Sequence, residues 1–375
     1  MHILVAPDSF KGSGSAKDIG NTIKQAIQLE ISDATVDVTP MADGGEGTID
    51  ALLYSSNGMK VNLEVTGPTG DKADVYYGVL EDSETVIIEV ASIVGFTFVT
   101  GEKCNPLNLT TYGIGECILH ALDSGYTKFI FCLGGSATND GGLGMLQALG
   151  VNFQNQDGDS VSIYPESIEE IETADYSNLD SRIWKADMRV ASDVQNPLCG
   201  INGATYIFGP QKGLEASQLE PLDRKIKLFA EHIEGHLEKE FQYIPGSGAA
   251  GGLGFALLTI GAEMESGAEL IARSLNLEEN ISQYDWVITG EGRTDYQTLQ
   301  GKLPYVVAKM AKKQKIPTIL ISGSIESDLN PLYDVFDSMH SITNGPLTLE
   351  DSINNMESLL HHCTKNIARL LKYTI

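Results

Sequence analysis

Residues 132–144 read CLGGSATNDGGLG: five glycines among two hydroxyl residues, an Asn and an Asp. Glycine weakens helices and strands alike, so such a cluster is a cost unless the backbone must come close to something. The apolar run KFIFCL ahead of it reads as a strand, and GGLGMLQALG behind it as a helix. In open α/β sheets ligands gather at the carboxyl ends of strands, where helix N-termini present unpaired N–H groups to anions. Gly134 and Gly135 would let the backbone approach a phosphate or carboxylate, and Ser136, Thr138 and Asn139 could donate hydrogen bonds to it. The alternative is a tight strand-to-helix turn whose glycines serve packing. The stretch has neither the GK[ST] ending of a Walker loop nor a GxGxxG fingerprint.

Five further stretches follow the same plan of glycine and charge just past an apolar run. In APDSFKGS, Asp8 suits a metal or a substrate hydroxyl and Lys11 suits phosphate charge. In MADGGEGT, Asp43 and Glu46 flank two glycines and suit Mg²⁺ or a polyol, or else the start of a helix. Asp193 in ASDVQNPLCG is a candidate base for a hydroxyl, or a turn former before Asn196-Pro197. Lys212 in FGPQKG is a phosphate partner or a solvated lysine. GEGRTDYQTLQGK gathers Glu291, Arg293, Asp295 and Lys302, and the planar fork of arginine matches a carboxylate. Together these are the parts phosphoryl transfer needs: backbone donors, carboxylates, cations and one base or orienting group. The adjacent His361, His362 and Cys363 on a helix point in different directions and read as structural.

The elements that must position these groups recur as strand, loop and helix, the unit of a parallel sheet. Strands are expected at 3–6, 35–41, 85–90, 128–133, 188–194, 204–209, 285–290 and 317–323. Ser15 is the expected N-cap of a helix with Ile19, Ile23 and Ile27 on one stripe. Helices are also expected over 110–125 and 216–240, after the Gly-rich segment 245–254, and in one run from Ile353 to Leu371. The polar stretch 154–182 reads as an insertion or surface excursion. The expected fold is α/β, with a Rossmann-like parallel-sheet domain built from both chain ends (1–65 and 282–375) and a second α/β domain inserted (66–281). The 375 residues carry 25 basic and 51 acidic side chains, a formal charge of −26 that argues against nucleic acid or anionic membrane as partner. Five scattered cysteines without CxxC spacing read as free thiols in a reducing compartment. MHILVAPD lacks the basic leader of a secretory signal, so a cytoplasmic protein is expected.

Taken in order, APDSFKGS, MADGGEGT, GPTG, NPLNLTTYGIGE, GGSATNDGGLG, SDVQNPLCGINGATYIFGPQKG, PGSGAAGGLG and GEGRTDYQTLQGK resemble the bacterial type-1 glycerate kinase family along nearly the whole chain. Cys104 and Cys199 stand beside these motifs without touching their charged positions. The resemblance implies ATP- and Mg²⁺-dependent phosphorylation of D-glycerate, with 2-phosphoglycerate as the usual product. A glycerate 3-kinase, or a kinase of another small hydroxy acid, is the nearest alternative. A dehydrogenase would want GxGxxG after the first strand, and a sugar-acid-sensing regulator would bring a DNA-binding motif. For such a reaction the residues themselves suggest Asp193 as the expected base, with Asp8 and Lys11 at the transferred phosphoryl group. Arg293 and Asp295 join Ser136, Thr138 and Asn139 as substrate residues. Gly134, Gly135, Lys212, Gly246, Gly248, Gly251, Gly252 and Lys302 are expected to bind phosphate or nucleotide. Asp43, Glu46, Asp140 and Glu291 are expected at the metal. A monomer or homodimer is expected.

Overall fold

In chain order the strands are β1 (His2–Val5), β2 (Thr35–Val38), β3 (Met59–Thr66), β4 (Lys72–Val79), β5 (Thr85–Glu89), β6 (Lys128–Cys132), β7 (Asn152–Gln154), β8 (Thr173–Asp175), β9 (Asp187–Ala191), β10 (Glu263–Glu265), β11 (Trp286–Thr294), β12 (Thr318–Ile325) and β13 (Ser338–Ser341). They come from a computed structural model that describes residues 1–81, 84–99 and 105–374. Cys104 lies outside the described residues. The chain divides into two compact units. The first comprises Met1–Asp43, Asp50–Asn57 and Ser266–Ile375, the second Gly44–Ile49 and Gly58–Glu265.

The first unit holds a parallel sheet in the order β13-β12-β11-β1-β2, so both chain ends contribute to it. One face is covered by helices Ala16–Glu30 and Met356–Leu371. Ile19, Ile23 and Ile27 pack there with Ile3, Val5, Leu360 and Ile367. The helix begins where the spacing places it: the Ser15 hydroxyl accepts the Asp18 N–H at 3.2 Å. The C-terminal helical run is two helices, because Asn355 breaks it into Leu349–Asn354 and Met356–Leu371.

The second unit holds a mixed sheet in the order β10-β9-β6-β5-β4-β3. Its first four strands are parallel, and β4 and β3 are added antiparallel. Because β3 pairs along its whole length with β4, residues 59–65 lie in this unit, whereas Ser266–Ile281 lie in the first. The core gathers Phe129, Phe131 and Val190 from strands with Ile118, Phe229 and Phe255 from helices. Segment 154–182 is no mere excursion. β7 and β8 pair antiparallel, and Ile168, Ile171, Ala174 and Tyr176 enter that core. Residues 204–209 form a helix, Ala204–Phe208, rather than a strand. The run is too short for periodicity to decide, and its Gly209 N–H closes on the Thr205 carbonyl at 3.0 Å. Cys117, Cys132, Cys199 and Cys363 are unbridged. Among the described residues no helix is long and apolar enough to cross a membrane.

Candidate active site

In the first unit a charged group forms past the end of β1, along the last residues of β11, which runs on through Glu291 and Arg293 to Thr294, and in the turn after it. The Asp8 N–H donates to the Gly290 carbonyl at 2.8 Å, holding the loop after β1 against β11. Burial, reinforced by the charge of Asp43, pushes the Asp8 carboxyl up to about 7. The Ser9 N–H, 2.6 Å from Asp8 Oδ1, and the charge of Lys11 work the other way. Lys11 Nζ donates to Asp43 Oδ2 at 3.0 Å. Glu291 is only 5% exposed and accepts from the Thr294 and Thr298 hydroxyls at 2.9 and 2.8 Å. Burial raises its carboxyl too. Lys302 Nζ lies 3.8 Å from Glu291 Oε2 and 3.3 Å from Asp295 Oδ1. Asp8, Lys11, Asp43, Glu291 and Lys302 are thus brought into one electrostatic neighbourhood. Asp295 joins them through Lys302, while its carboxylate also accepts the Gln297 N–H at 2.9 Å and caps the turn Tyr296–Gln300. Arg293 is exposed and pairs with Glu326.

In the second unit the glycine-rich turn after β6 is largely sealed. Thr138, Asn139 and Asp140 are wholly buried and Ser136 nearly so. Asn139 Nδ2 donates to Thr205 Oγ1 at 3.0 Å. Asp140 is not placed to ligate a metal. Its Oδ2 accepts from the Thr111 N–H (2.9 Å), the Thr111 hydroxyl (2.7 Å) and the Gly144 N–H (3.3 Å), and its Oδ1 from the Gly142 N–H (3.0 Å). Lys212 is also buried, donating to Ser136 Oγ at 2.9 Å and to the Thr138 carbonyl at 2.7 Å. Gly134 is half-buried and Gly135 exposed, so they form the accessible tip of the turn.

The second glycine-rich segment packs against the first rather than opening to a ligand. Gly251 has φ +69°, and a Cβ there would stand 2.2 Å from the Thr138 carbonyl oxygen. At Gly252 a Cβ would meet the Gly141 Cα at 2.7 Å, and at Gly248 the Pro197 oxygen at 2.2 Å. Gly246 likewise abuts Val194 and Met264. The glycines admit neighbouring protein, which disagrees with a nucleotide cradle at 245–254.

Asp193 is exposed just past β9, at the carboxyl edge of the second sheet. Glu46 is exposed in the segment Gly44–Ile49 of this unit, while Asp43 belongs to the first. Among the described residues no three acidic, histidine or cysteine side chains form a cluster that could hold a metal ion, so the four expected ligands do not make one shell. Reading the sequence alone misses Thr111, Thr205, Thr294 and Thr298, which bond Asp140, Asn139 and Glu291, while Thr138 Oγ1 and Asn139 Oδ1 stay buried without a hydrogen-bond partner. It also misses Glu89, which is 3% exposed and accepts the Gly47 and Ile49 N–H groups at 3.1 and 3.0 Å. A carboxylate closing the apolar strand TVIIE is the signal that could have found it.

Comparison with known proteins agrees along the full length. The model of the glycerate kinase family matches residues 3–372. The chain is 41% identical to the glycerate 2-kinase of Escherichia coli K12, over 99% of this chain and 98% of that protein. It is also 41% identical to the glycerate kinase of Bacillus subtilis 168, with the same two coverages. A crystal structure of a Salmonella typhimurium LT2 protein assigned as glycerate kinase 2 superposes with a TM-score of 0.89 at 39% identity, covering 100% of this chain and 99% of that one.

Proposed function

The chain belongs to the glycerate kinase family, and we propose that this phosphotransferase moves the terminal phosphoryl group of ATP to D-glycerate with Mg²⁺, yielding 2-phosphoglycerate. What carries the reading is the unbroken match over residues 3–372, which takes in every charged strand-end loop described above. The 2-position rests on the name of the Escherichia coli relative.

The roles follow from what each side chain can still reach. Asp193, exposed past a strand end, takes the proton of the acceptor hydroxyl. Lys11 spreads charge on the transferred phosphoryl group, and Asp8 orients Lys11 and Asp43 through its own charge. In the second unit the Gly135 N–H offers a backbone donor to phosphate, the Gly134 N–H being given to the Gly44 carbonyl at 3.2 Å. In the first unit Lys302 supplies a cation. Arg293 meets the glycerate carboxylate, exchanging Glu326 for it. Mg²⁺ characteristically takes one or two carboxylates and completes its shell with phosphates and water. The crowding that pushes up Asp8 among Asp43 and Glu291 is a setting that a divalent cation relieves, so the residues present fit the ion. Asp43 and Glu291 would hold it, and its chemistry there would be to neutralise phosphate charge. The unbridged cysteines suit a reducing compartment, and we place the protein in the cytoplasm.

The test is ADP release from ATP and Mg²⁺ with D-glycerate, with L-glycerate and with no acceptor. The product is then offered to enolase, which accepts 2-phosphoglycerate but not 3-phosphoglycerate. Acceptor-dependent ADP with an enolase-active product is expected. An enolase-silent product moves the phosphate to the 3-position, and no acceptor-dependent ADP refutes the activity.

A further inference from the structure

Lys212 ends the short turn Pro210–Lys212, and the chain leaves it through Gly213 at φ +99°. Its side chain is 3% exposed. An ammonium there loses its hydration, which pushes its pKa down to about 7 against the opposing pull of Asp140. A buried charge is a poor stabiliser, because a well-packed apolar residue often does as well or better. Its hydrogen bonds say what it does instead. Two of them go to the turn after β6, to Ser136 Oγ at 2.9 Å and to the Thr138 carbonyl at 2.7 Å. The same turn is tied on another side by the Ala137 N–H to the Val94 carbonyl at 2.9 Å, and further along by Asn139 to Thr205. Its only accessible part is Gly134–Gly135. The Gly134 N–H is already given to the Gly44 carbonyl at 3.2 Å, which leaves the Gly135 N–H. Glycine supplies no stiffness of its own, so the direction of that group depends on what holds the residues next to it.

We propose that Lys212 is a positioning residue that braces the turn 134–139 from inside the second unit, fixing how Gly135 presents its N–H group to a phosphate of ATP. The assignment of that anion rests on the phosphotransferase reading. The bracing itself does not, and the two are tested apart. Lys212 touches no substrate in this scheme. Removing it therefore loosens binding of the anion more than it slows the chemical step.

Lys212→Met keeps the length of the side chain and removes the donors, and Ser136→Ala removes one acceptor with little change of volume. Amide hydrogen exchange, read on a peptide spanning 133–139, is expected to quicken at least tenfold in both variants with the rest of the second unit unchanged. Unchanged exchange in folded Lys212→Met overturns the bracing, whatever the enzyme does. In steady-state kinetics both variants are expected to raise the KM for ATP about tenfold with kcat within about threefold. The double variant should be no worse than Lys212→Met alone, since the two residues act through one contact. A fall in kcat at constant KM would make Lys212 a group at the reacting atoms and overturn the proposal. If Lys212→Met does not fold, Ser136→Ala decides alone: wild-type exchange and wild-type KM for ATP refute it. Wild-type protein that releases no acceptor-dependent ADP overturns the activity, and exchange still tests the brace.

Discussion

Asp140→Asn separates a structural carboxylate from a working one. Asp140 sits at the heart of the motif that most suggests chemistry, yet both its oxygens are consumed by donors from the protein: Thr111 twice, Gly142 and Gly144. Asn has nearly the same shape but a single acceptor, and its NH₂ must face at least one of these donors. Keeping the oxygen on the Thr111 side strands the Gly142 N–H, and the reverse strands Thr111 and Gly144. A stranded buried donor costs about 1–3 kcal/mol, and the remaining bonds lose their charge assistance. Against this, the variant no longer buries a charge, the cost that raises the Asp140 carboxyl. The expected net loss is about 2–4 kcal/mol. Urea unfolding followed by the fluorescence of Trp184, which lies in the second unit, reads it directly. A midpoint equal to wild type, together with abolished turnover, would refute the reasoning and return Asp140 to the chemistry.

Gly251→Ala places a methyl 2.2 Å from the Thr138 carbonyl oxygen at a φ of +69°, so a loss of roughly 3 kcal/mol or more is expected in the same urea assay. Lys212 makes stability depend on pH in a defined sense. Its native pKa lies at about 7 and its ordinary value is 10.5, so the unfolded chain binds more protons between these limits and stability rises with pH across that window. From pH 7 to 9 the gain is about 2 kcal/mol. It is to be read as the wild-type minus Lys212→Met difference in urea midpoint, and a flat difference would remove the desolvated amine from the account. Arg293→Ala breaks only an exposed pair with Glu326, so stability should move by less than about 0.5 kcal/mol. Its role at the carboxylate predicts a KM for D-glycerate raised about tenfold, and an unchanged KM removes Arg293 from the site.

What could be read from the sequence was whatever is local. The Ile19, Ile23 and Ile27 stripe and the Ser15 cap are resolved within a dozen residues, and the helix forms there. The charged loops could be placed at strand ends because alternation of strand and helix fixes where loops fall, and Asp8 does stand just past β1, but β11 runs on to Thr294, so Glu291 and Arg293 lie on the strand rather than after it. The role of a group past a strand end depends on partners distant in sequence. Asp140 reads as a free carboxylate until Thr111, 29 residues upstream, is seen to donate to it. Lys212 reads as a phosphate partner or a solvated lysine until its ammonium is found on Ser136, 76 residues away. The glycines carry the same lesson most sharply. A glycine announces that something approaches the backbone, but it does not say what. At Gly251 the approaching group is the carbonyl of Thr138, in the other glycine-rich turn. Two motifs that each suggested a cradle for ligand are largely each other's neighbour. The freedom that glycine provides is spent on bringing two loops of the second unit into contact. The exposed tip of the first loop narrows to Gly135, because Gly134 gives its N–H to the Gly44 carbonyl, and the buried Lys212 holds the turn from behind.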